Sequence, residues 1–444
     1  DRLTVETMKK GVDTNAKEEK GYGNGHVTGM FIQDTKNGTI GAGLSNTVTV
    51  DKCINNFAYG LYLSGWNQKK LKNPKYNPTE EDKKRDTADI SIKDDSHNHI
   101  TVTNSAVQFI HGITVDSNSK LHIGNHGETS ITQTDGKVSE ISGIYAVESS
   151  IVTLGEKNQE NITINNSSTD EAYGIYSCGN SEVNTGAGED ITLIQNGGSS
   201  SRLGGTFADT NTKIHLGESS SNRIEVNQGE VGTVVGIYSV SDSTVNLDDD
   251  NYNDIILNNG TAKTAYGIFS DTNSVVNIGK NGAVSIIQNG VKSSSIYGME
   301  SYGGSRISAG DGLRVGIDYT GDGTKNITAG MWNFNNSHMN LGNDSTVSVS
   351  VVNTSRETKG SAVSGMRNIL ADSSFGRNLH VQVKADNYES AEGIRNTGVD
   401  VTPAKMTIGD NLSVDVKASS LTGDGAPTVE GIRIPFLREI PCLG

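Results

Sequence analysis

The sequence is poor in the residue types that build an ordinary globular core. Of its 444 residues, 33% are hydrophobic and 5% are aromatic, and the formal net charge is −15. Low hydrophobicity combined with high net charge is typical of disordered chains, but a disordered chain needs no regular spacing of residues, and this chain has one. The acidic balance also argues against general nucleic-acid binding, because phosphate backbones attract basic surfaces.

Cysteines and long apolar runs are also scarce. The three cysteines, Cys53, Cys178 and Cys442, lie far apart in the sequence, which excludes the disulfide framework of a small secreted domain. No apolar stretch reaches the roughly 18 residues that a membrane-spanning helix needs. The first residues, from Asp1 to Thr4, lack the charged-then-apolar pattern of a signal peptide, so we expect a processed or trimmed chain.

What the chain does contain is a repeat of 31 residues. A glycine followed by an apolar and usually an aromatic residue recurs at this interval, and we call these residues the anchor glycines. The regular anchors are Gly29 and Gly60, then Gly112, Gly143, Gly174, Gly205, Gly236, Gly267 and Gly298, followed at looser spacing by Gly330, Gly365, Gly393 and Gly431. An internal period of this kind predicts stacked repeats.

Each repeat holds three short stretches in which apolar and polar residues alternate. Alternation with β-branched residues predicts strands, and the Gly, Asn, Asp and Ser between them suit turns. A propeller blade usually needs four strands and about 40 residues, so three strands in 31 residues fit one coil of a solenoid better. The sequence therefore predicts an all-β, right-handed parallel β-helix of about 12–13 coils, whose thin core accounts for the low hydrophobic content. We expect Ile144, Ile175, Ile237 and Ile268 to stack in that core.

Breaks in the repeat divide the chain. We expect an N-terminal cap over residues 1–24 and the β-helix over residues 25–433. The step from Gly60 to Gly112 is 52 residues, which predicts a loop insertion at 65–87. Residues 434–444 leave the repeat pattern abruptly and form a non-repeat tail, either native or artefactual.

The Gly-Ile-Tyr/Phe-Ser motif, as at Gly174 and Gly267, and the Val-Asn-Leu/Ile-Gly motif, as at Val276, resemble the adhesin-like passenger domains of type V bacterial autotransporters, the pertactin type. The resemblance implies a protein on the bacterial cell surface, or secreted, whose only attachment to the outer membrane is a C-terminal barrel domain outside this chain. It implies a non-enzymatic adhesin that contributes to virulence and binds a host glycan or protein, or another copy of itself. The alternative is a polysaccharide-degrading β-helix, such as a phage tailspike or a lyase.

Motifs for catalysis and metal binding are few. The Gly-Asp pairs, as at Gly310, lack the serine of a trypsin-like Gly-Asp-Ser-Gly motif, and we expect no enzyme activity, no cofactor and no metal. The acidic run Asp248–Asp250 is either a solvated turn, a calcium site or an acid–base pair. His122 and His215 occupy equivalent positions three coils apart, about 14 Å at the strand spacing, which is too far for one metal ion.

Two stripes of side chains are expected to point outward. The aromatic stripe lies two residues after the anchors, where it could bind sugars or a partner, or else stack on itself and cover the glycines. Its candidate binding residues are Tyr62, Tyr145, Tyr176, Phe207, Tyr238, Phe269 and Trp332. Arginines take this position near the C-terminus, which favours exposure of the stripe to solvent, because arginine is rarely buried. The polar stripe suits contact between copies or a solvated face, and comprises Thr39, Ser91, His122, Thr153, Asn184, His215, Asn246, Asn277, Ser308 and Asn340.

The loop insertion is basic and aromatic on an otherwise acidic chain. Its candidate binding residues are Trp66, Lys69, Lys70, Lys72, Lys75 and Tyr76. Loops on rigid scaffolds often carry function, and lysines would favour an anionic partner. The alternative is a flexible, solvated loop without a binding role.

Overall fold

The computed structural model describes residues 2–8, 26–33, 37–65, 88–290, 292–322, 327–355, 359–399, 404–419, 426–434 and 436–437. These residues form strands and turns, with no helix among them, and the predicted all-β class is confirmed. Within the same ranges there is accordingly no helix with the length and hydropathy to cross a membrane. The chain divides into two compact units, Asp1–Gly217 and Glu218–Gly444.

The described residues of the first unit form eighteen strands. In chain order they are β1 (Arg2–Met8), β2 (His26–Gln33), β3 (Gly38–Ile40), β4 (Ser45–Asp51), β5 (Ile54–Ser64), β6 (Asp89–Ile92), β7 (His97–Thr103), β8 (Ala106–Asp116), β9 (Lys120–Ile123), β10 (Glu128–Thr134), β11 (Lys137–Ala146), β12 (Ile151–Leu154), β13 (Gln159–Asn165), β14 (Ser168–Cys178), β15 (Glu182–Asn184), β16 (Asp190–Asn196), β17 (Ser199–Asp209) and β18 (Lys213–Leu216).

Three parallel sheets build this unit, and every coil contributes one strand to each. Sheet A runs β1-β4-β7-β10-β13-β16, sheet B runs β2-β5-β8-β11-β14-β17, and sheet C runs β3-β6-β9-β12-β15-β18. Neighbouring coils are in register, so that Ile131 pairs with Ile162, which pairs with Leu193. The unit is therefore a parallel β-solenoid, as predicted from the 31-residue repeat.

The second unit continues the numbering. Its strands are β19 (Ser221–Asn227), β20 (Glu230–Ser239), β21 (Thr244–Leu247), β22 (Tyr252–Asn258), β23 (Thr261–Ser270), β24 (Val275–Ile278), β25 (Ala283–Asn289), β26 (Lys292–Ser301), β27 (Arg306–Ala309), β28 (Arg314–Gly321), β29 (Ile327–Phe334), β30 (His338–Leu341), β31 (Thr346–Asn353), β32 (Gly360–Ile369), β33 (Asp372–Phe375), β34 (His380–Asp386), β35 (Tyr388–Val399), β36 (Lys405–Ile408), β37 (Ser413–Ser419), β38 (Thr428–Arg433) and β39 (Phe436–Leu437).

The second unit is built from the same type of coil as the first. Sheet A runs β19-β22-β25-β28-β31-β34-β37, sheet B runs β20-β23-β26-β29-β32-β35-β38, and sheet C runs β21-β24-β27-β30-β33-β36. All the described pairings between these strands are parallel, which excludes the antiparallel blades of a propeller within the described residues. The β-solenoid prediction holds here as well, and the right-handed sense of the coil stays a prediction.

The core is a thin column inside each coil. Buried residues alternate with half-buried ones along the strands of sheets A and C, as in β16 of sheet A and β12 of sheet C. Among the predicted core residues, Ile144 pairs with Ile175 in the first unit and Ile237 with Ile268 in the second. All four are at most 1% exposed, so these predictions are confirmed.

Glycine is required at the anchor positions for a steric reason. A Cβ on Gly143 would lie 2.6 Å from the carbonyl oxygen of Gly174, and a Cβ on Gly298 would lie 2.5 Å from that of Gly330. Any side chain at these positions would collide with the backbone of the next coil. The repeat therefore requires glycine because neighbouring coils approach closely here, and not because of a positive φ.

The predicted boundaries of the cap, helix and tail remain predictions, but some of their residues are described. β1, within residues 1–24, pairs in parallel with β4 as a strand of sheet A. β39, within residues 434–444, pairs with β35. Residues 66–87 of the predicted loop insertion lie outside the described residues. They include all six of its candidate binding residues.

Candidate functional site

Sheet B bends at each anchor glycine. The paired positions run Ser142–Tyr173 and then Ile144–Ile175, so that the glycines fall between them. In a flat strand, positions three apart face opposite sides. Here the rings of Tyr173 and Tyr176 contact each other, with centroids 5.3 Å apart, and Tyr173 is 0% exposed. We call this part of sheet B the aromatic crease, formed by the residues one before and two after each anchor glycine.

In the first unit the crease contains a ring stack. Tyr145 and Tyr176 are 5.1 Å apart with an interplanar angle of 8°, and Tyr176 and Phe207 are 5.2 Å apart at 5°. His111 extends the stack on the other side, 4.3 Å from Tyr145. Phe31 and Tyr62 form a further stacked pair at 5.3 Å. These rings thus stack on one another, which is the stabilising arrangement weighed against binding in the sequence analysis.

Stacking limits which parts of the rings a ligand could reach. Tyr62, Tyr145 and Tyr176 are half-buried, with their faces against neighbouring rings. Phe207 is only 5% exposed, which differs from the exposed position expected for it, because Tyr173 packs against it with centroids 4.9 Å apart. The crease therefore leaves Tyr62, Tyr145 and Tyr176 only partly open to solvent, since their rings stack against neighbouring rings.

The second unit has a shorter aromatic crease. Tyr238 and Phe269 are 5.0 Å apart and tilted by 41°, and Tyr266 lies 4.8 Å from Phe269. Tyr297 meets Trp332 edge-on at 5.3 Å. The predicted stripe included only the position two after each anchor, and not the residues before the glycines, which here are Tyr266 and Tyr297.

Beyond Trp332 arginines take the position two after each anchor glycine. The Arg367 guanidinium lies 5.1 Å over the Trp332 ring and pairs with the Glu392 carboxylate at 3.4 Å. Arg395 and Arg433 reach the other Glu392 oxygen at 3.4 and 3.6 Å. Arg367 is only 9% exposed. The expectation that the arginines mark an exposed position is wrong for Arg367, because the buried Glu392 compensates its charge.

A pair of carboxyl groups lies beside the first unit's crease. The Ser117 hydroxyl bridges them, 2.8 Å from Asp116 Oδ1 and 3.2 Å from Glu148 Oε2. The Tyr62 hydroxyl donates to Asp116 Oδ2 at 3.0 Å. Partial burial, and then the negative charge of Asp116, raise the pKa of Glu148 above its usual range. The two carboxyls can thus share a proton beside an aromatic surface.

Two further carboxyl groups lie inside the first unit. Glu160 and Glu189 are 2% and 1% exposed, and burial raises the pKa of both. For Glu160 the second cause is the charge of Glu189. These groups cannot meet a macromolecular substrate, because they face the core of the coil.

The acidic run Asp248–Asp250 forms a turn. The Asp249 carboxylate accepts a hydrogen bond from the backbone N–H of Lys280 in the next coil, at 2.7 Å. Asp94 makes the same contact with the backbone N–H of Asn125 at 2.8 Å. This arrangement agrees with the solvated turn among the three alternatives for this run.

The polar stripe forms a partial ladder on sheet C. Asn277 donates to Asn246 Oδ1 at 2.8 Å, and Ser374 donates to Asn340 Oδ1 at 2.7 Å. Asn184 instead donates to Glu182 in its own coil, at 2.7 Å. The stripe therefore satisfies part of its own hydrogen-bonding capacity.

One cluster of metal-binding side chains was missed. His97, His99 and Glu128 are half-buried on the outer face of sheet A, and each offers a ligand atom within 4.8 Å of the others. Equivalent positions of neighbouring coils do not bring these histidines together. The signal in the sequence is the His-x-His spacing on one strand, which places both side chains on the same face.

No protein-family model matches this chain, and no curated protein or solved structure matches it. The β-solenoid architecture is shared by adhesins and by polysaccharide-degrading enzymes, so that the fold by itself is compatible with either.

Proposed function

We propose that the chain is the passenger domain of a bacterial autotransporter and acts as a non-enzymatic adhesin at the cell surface. Its binding surface is the aromatic crease of sheet B, and its partner is a host glycan, a host protein or another copy of itself. The ring stack Tyr145–Tyr176–Phe207, one ring per coil in register, is the observation that carries this proposal.

The spacing of the stack supports an extended partner. Parallel strands repeat about every 4.8 Å, so the rings of Tyr145, Tyr176 and Phe207 follow one another at about that spacing along one line. Tyrosine combines a large apolar edge with a hydroxyl that can donate or accept a hydrogen bond. Such a surface suits the repeating units of a glycan chain, or the matching crease of a second copy.

The runner-up function is polysaccharide cleavage, and the Asp116–Glu148 pair beside the crease is the observation that favours it, because perturbed carboxyls mark active sites. Glycoside hydrolysis, however, places its two carboxyls about 5–5.5 or 6.5–9.5 Å apart. Here the Ser117 hydroxyl stands between the two carboxyls, 2.8 Å from Asp116 Oδ1 and 3.2 Å from Glu148 Oε2, so that a side chain of the protein bridges them instead of a water or a sugar. This geometry supports the adhesin over the enzyme.

The test of the adhesin is a glycan and host-protein array beside a cell-aggregation assay. One variant replaces Tyr145, Tyr176 and Tyr238 with alanine, and a second deletes residues 66–86. The matched control, Thr153→Ala with Asn184→Ala, alters sheet C in the coils that carry Tyr145 and Tyr176. We expect the crease variant to lose most binding and the control to keep it.

Circular dichroism melting would verify that each variant is folded. Binding that survives both the crease replacement and the loop deletion in folded protein contradicts the proposed surface. Incubation with anionic polysaccharides tests the runner-up function. Product release that is lost in Asp116→Asn or Glu148→Gln would replace the adhesin with the enzyme.

A further inference from the structure

We infer that His97, His99 and Glu128 form a binding site for a divalent transition-metal ion of the zinc class on the outer face of sheet A. This site is independent of the proposed adhesion, since the aromatic crease belongs to sheet B. The inference rests on the geometry of three side chains that the coil register brings together.

The backbone sets the ligand positions. His97 and His99 are two residues apart on β7, so both imidazoles leave the same face of the strand. Glu128 begins β10, where it pairs directly with His97, and Ser130 pairs with His99. Two positions along one strand and one position across the ladder therefore converge above sheet A.

The distances already approach those of a bound ion. His97 Nδ1 lies 3.5 Å from Glu128 Oε2, and the two imidazole rings are parallel within 5°, with centroids 6.1 Å apart. Zinc–ligand bonds of about 2.0–2.2 Å place two ligand atoms of a tetrahedral site about 3.4 Å apart. The three ligand atoms lie within 4.8 Å of one another, so that a bound ion requires them to approach by at most about 1.4 Å.

The donor set selects the kind of metal. Two imidazole nitrogens and one carboxylate are the protein ligands of open zinc sites, in which water takes the fourth position. Calcium requires six to eight oxygen ligands, and magnesium also prefers oxygen. The side chains of His97 and Glu128 are 41% and 33% exposed, so solvent can supply that fourth ligand.

The chain also contains an ordinary surface pair of a histidine and a carboxylate, which serves as a matched control. On sheet C, His122 Nε2 lies 3.6 Å from Asp89 Oδ1, with side-chain exposures of 45% and 41%. This pair also joins neighbouring coils, where the ladder partner of His122 is Ser91, and among the described residues no second histidine completes a cluster with it. It reproduces the single histidine–carboxylate contact without the third ligand.

The experiment is isothermal titration of the metal-stripped protein with ZnCl₂ alone at neutral pH. We expect one equivalent of Zn²⁺ per chain and no comparable binding of CaCl₂. The variants His97→Ala, His99→Ala and Glu128→Gln should each weaken binding at least about tenfold. His122→Ala should bind as the unaltered protein does. Cys53→Ser and Cys178→Ser should also leave binding unchanged, which separates the site from thiol binding.

Co²⁺ provides a readout that does not depend on affinity. The visible absorption of tetrahedral Co²⁺ should appear on titration and disappear in His99→Ala, or in His99→Gln if the alanine variant does not fold. Absence of Zn²⁺ binding by the unaltered protein overturns the inference. So does a loss of binding that is the same in His122→Ala as in the three cluster variants.

Discussion

The interior position that faces the anchor glycine differs between the two compact units. In Asp1–Gly217 it is mostly polar, and in Glu218–Gly444 it is mostly valine. The first unit has Asn46, Asn98, Thr129, Glu160 and Ile191 in this position, and the second has Asn222, Asn253, Val284, Val315, Val347, Val381 and Val414. One coil geometry therefore accepts two kinds of interior side chain.

The polar side chains are accommodated because the bend at the glycine exposes a carbonyl oxygen to the interior. Asn46 donates to the Gly60 carbonyl at 2.6 Å, and Asn253 donates to the Gly267 carbonyl at 2.5 Å. A valine fills the same space with apolar contacts. A carboxyl group is different, since it can lose its proton, and only the first unit has one at this position.

The largest expected effect comes from placing a buried carboxyl group at this position in the second unit. Val315→Glu would bury a carboxylate among valines with no charged partner, and we expect about 3–5 kcal/mol of destabilisation at pH 8. Arg314→Glu changes the adjacent exposed residue and should stay within about 0.5 kcal/mol. Urea unfolding of both variants measures the difference, and equal midpoints would contradict the valine-lined interior.

The anchor glycines should behave alike in both units. Gly143→Ala and Gly298→Ala would each place a Cβ against the carbonyl of the next coil, and we expect about 1–3 kcal/mol of destabilisation for each. Gly431→Ala is the control, because a Cβ there would meet no atom within 4 Å. Thermal unfolding measures all three, and a Gly143→Ala variant as stable as Gly431→Ala would exclude the steric cause.

The buried carboxyls should make the first unit sensitive to pH. The pKa of Glu160 and Glu189 is raised by burial from an ordinary value of 4.5. The folded state therefore holds protons that the unfolded state has lost, and stability falls as pH rises above about 4.5 through the raised values. We expect Glu160→Gln to flatten this fall, by roughly 1.4 kcal/mol for each unit of pKa shift removed.

Unfolding midpoints between pH 5 and pH 9 provide the measurement. Glu156→Gln, an exposed change in the turn after β12, should leave the slope unaltered. If Glu160→Gln and the unaltered protein lose stability in parallel, the pH dependence arises elsewhere.

The smallest effect concerns the polar stripe. Asn277→Ala in the second unit removes a hydrogen bond between coils, and we expect a loss of about 0.5–1 kcal/mol. Asn184→Ala in the first unit removes only a contact with Glu182 in the same coil, and should cost less. Chemical denaturation of both variants would show the order, and the reverse order would contradict the ladder.

The repeat was sufficient to predict most of the fold. The 31-residue spacing and the alternation around Ile162 and Val245 predicted parallel coils and their register, because stacked repeats place equivalent residues side by side. The bend at the anchor glycines could not be predicted from alternation. A flat strand would put Tyr173 and Tyr176 on opposite faces, so the second row of the crease was missed.

The polar interior and the metal-binding cluster were missed for related reasons. Glu160 occupies an inward position where the pattern predicts an apolar residue, and nothing local in the sequence indicates that Glu189 lies beside it. His97 and Glu128 are 31 residues apart, and they meet only because the coils are in register. The repeat contains that information, but only when it is read across coils.

The central claim is that the aromatic crease is the binding surface, and hydroxyl-radical footprinting tests it most directly. The dilute protein would be compared with the concentrated, self-associated protein and with protein saturated with a glycan identified on the array. We predict protection of Tyr145 and Tyr176 on binding, with the sheet C residues Thr153 and Asn184 unchanged. Protection confined to sheet A or sheet C, with both tyrosines as reactive as in the free protein, would contradict the account.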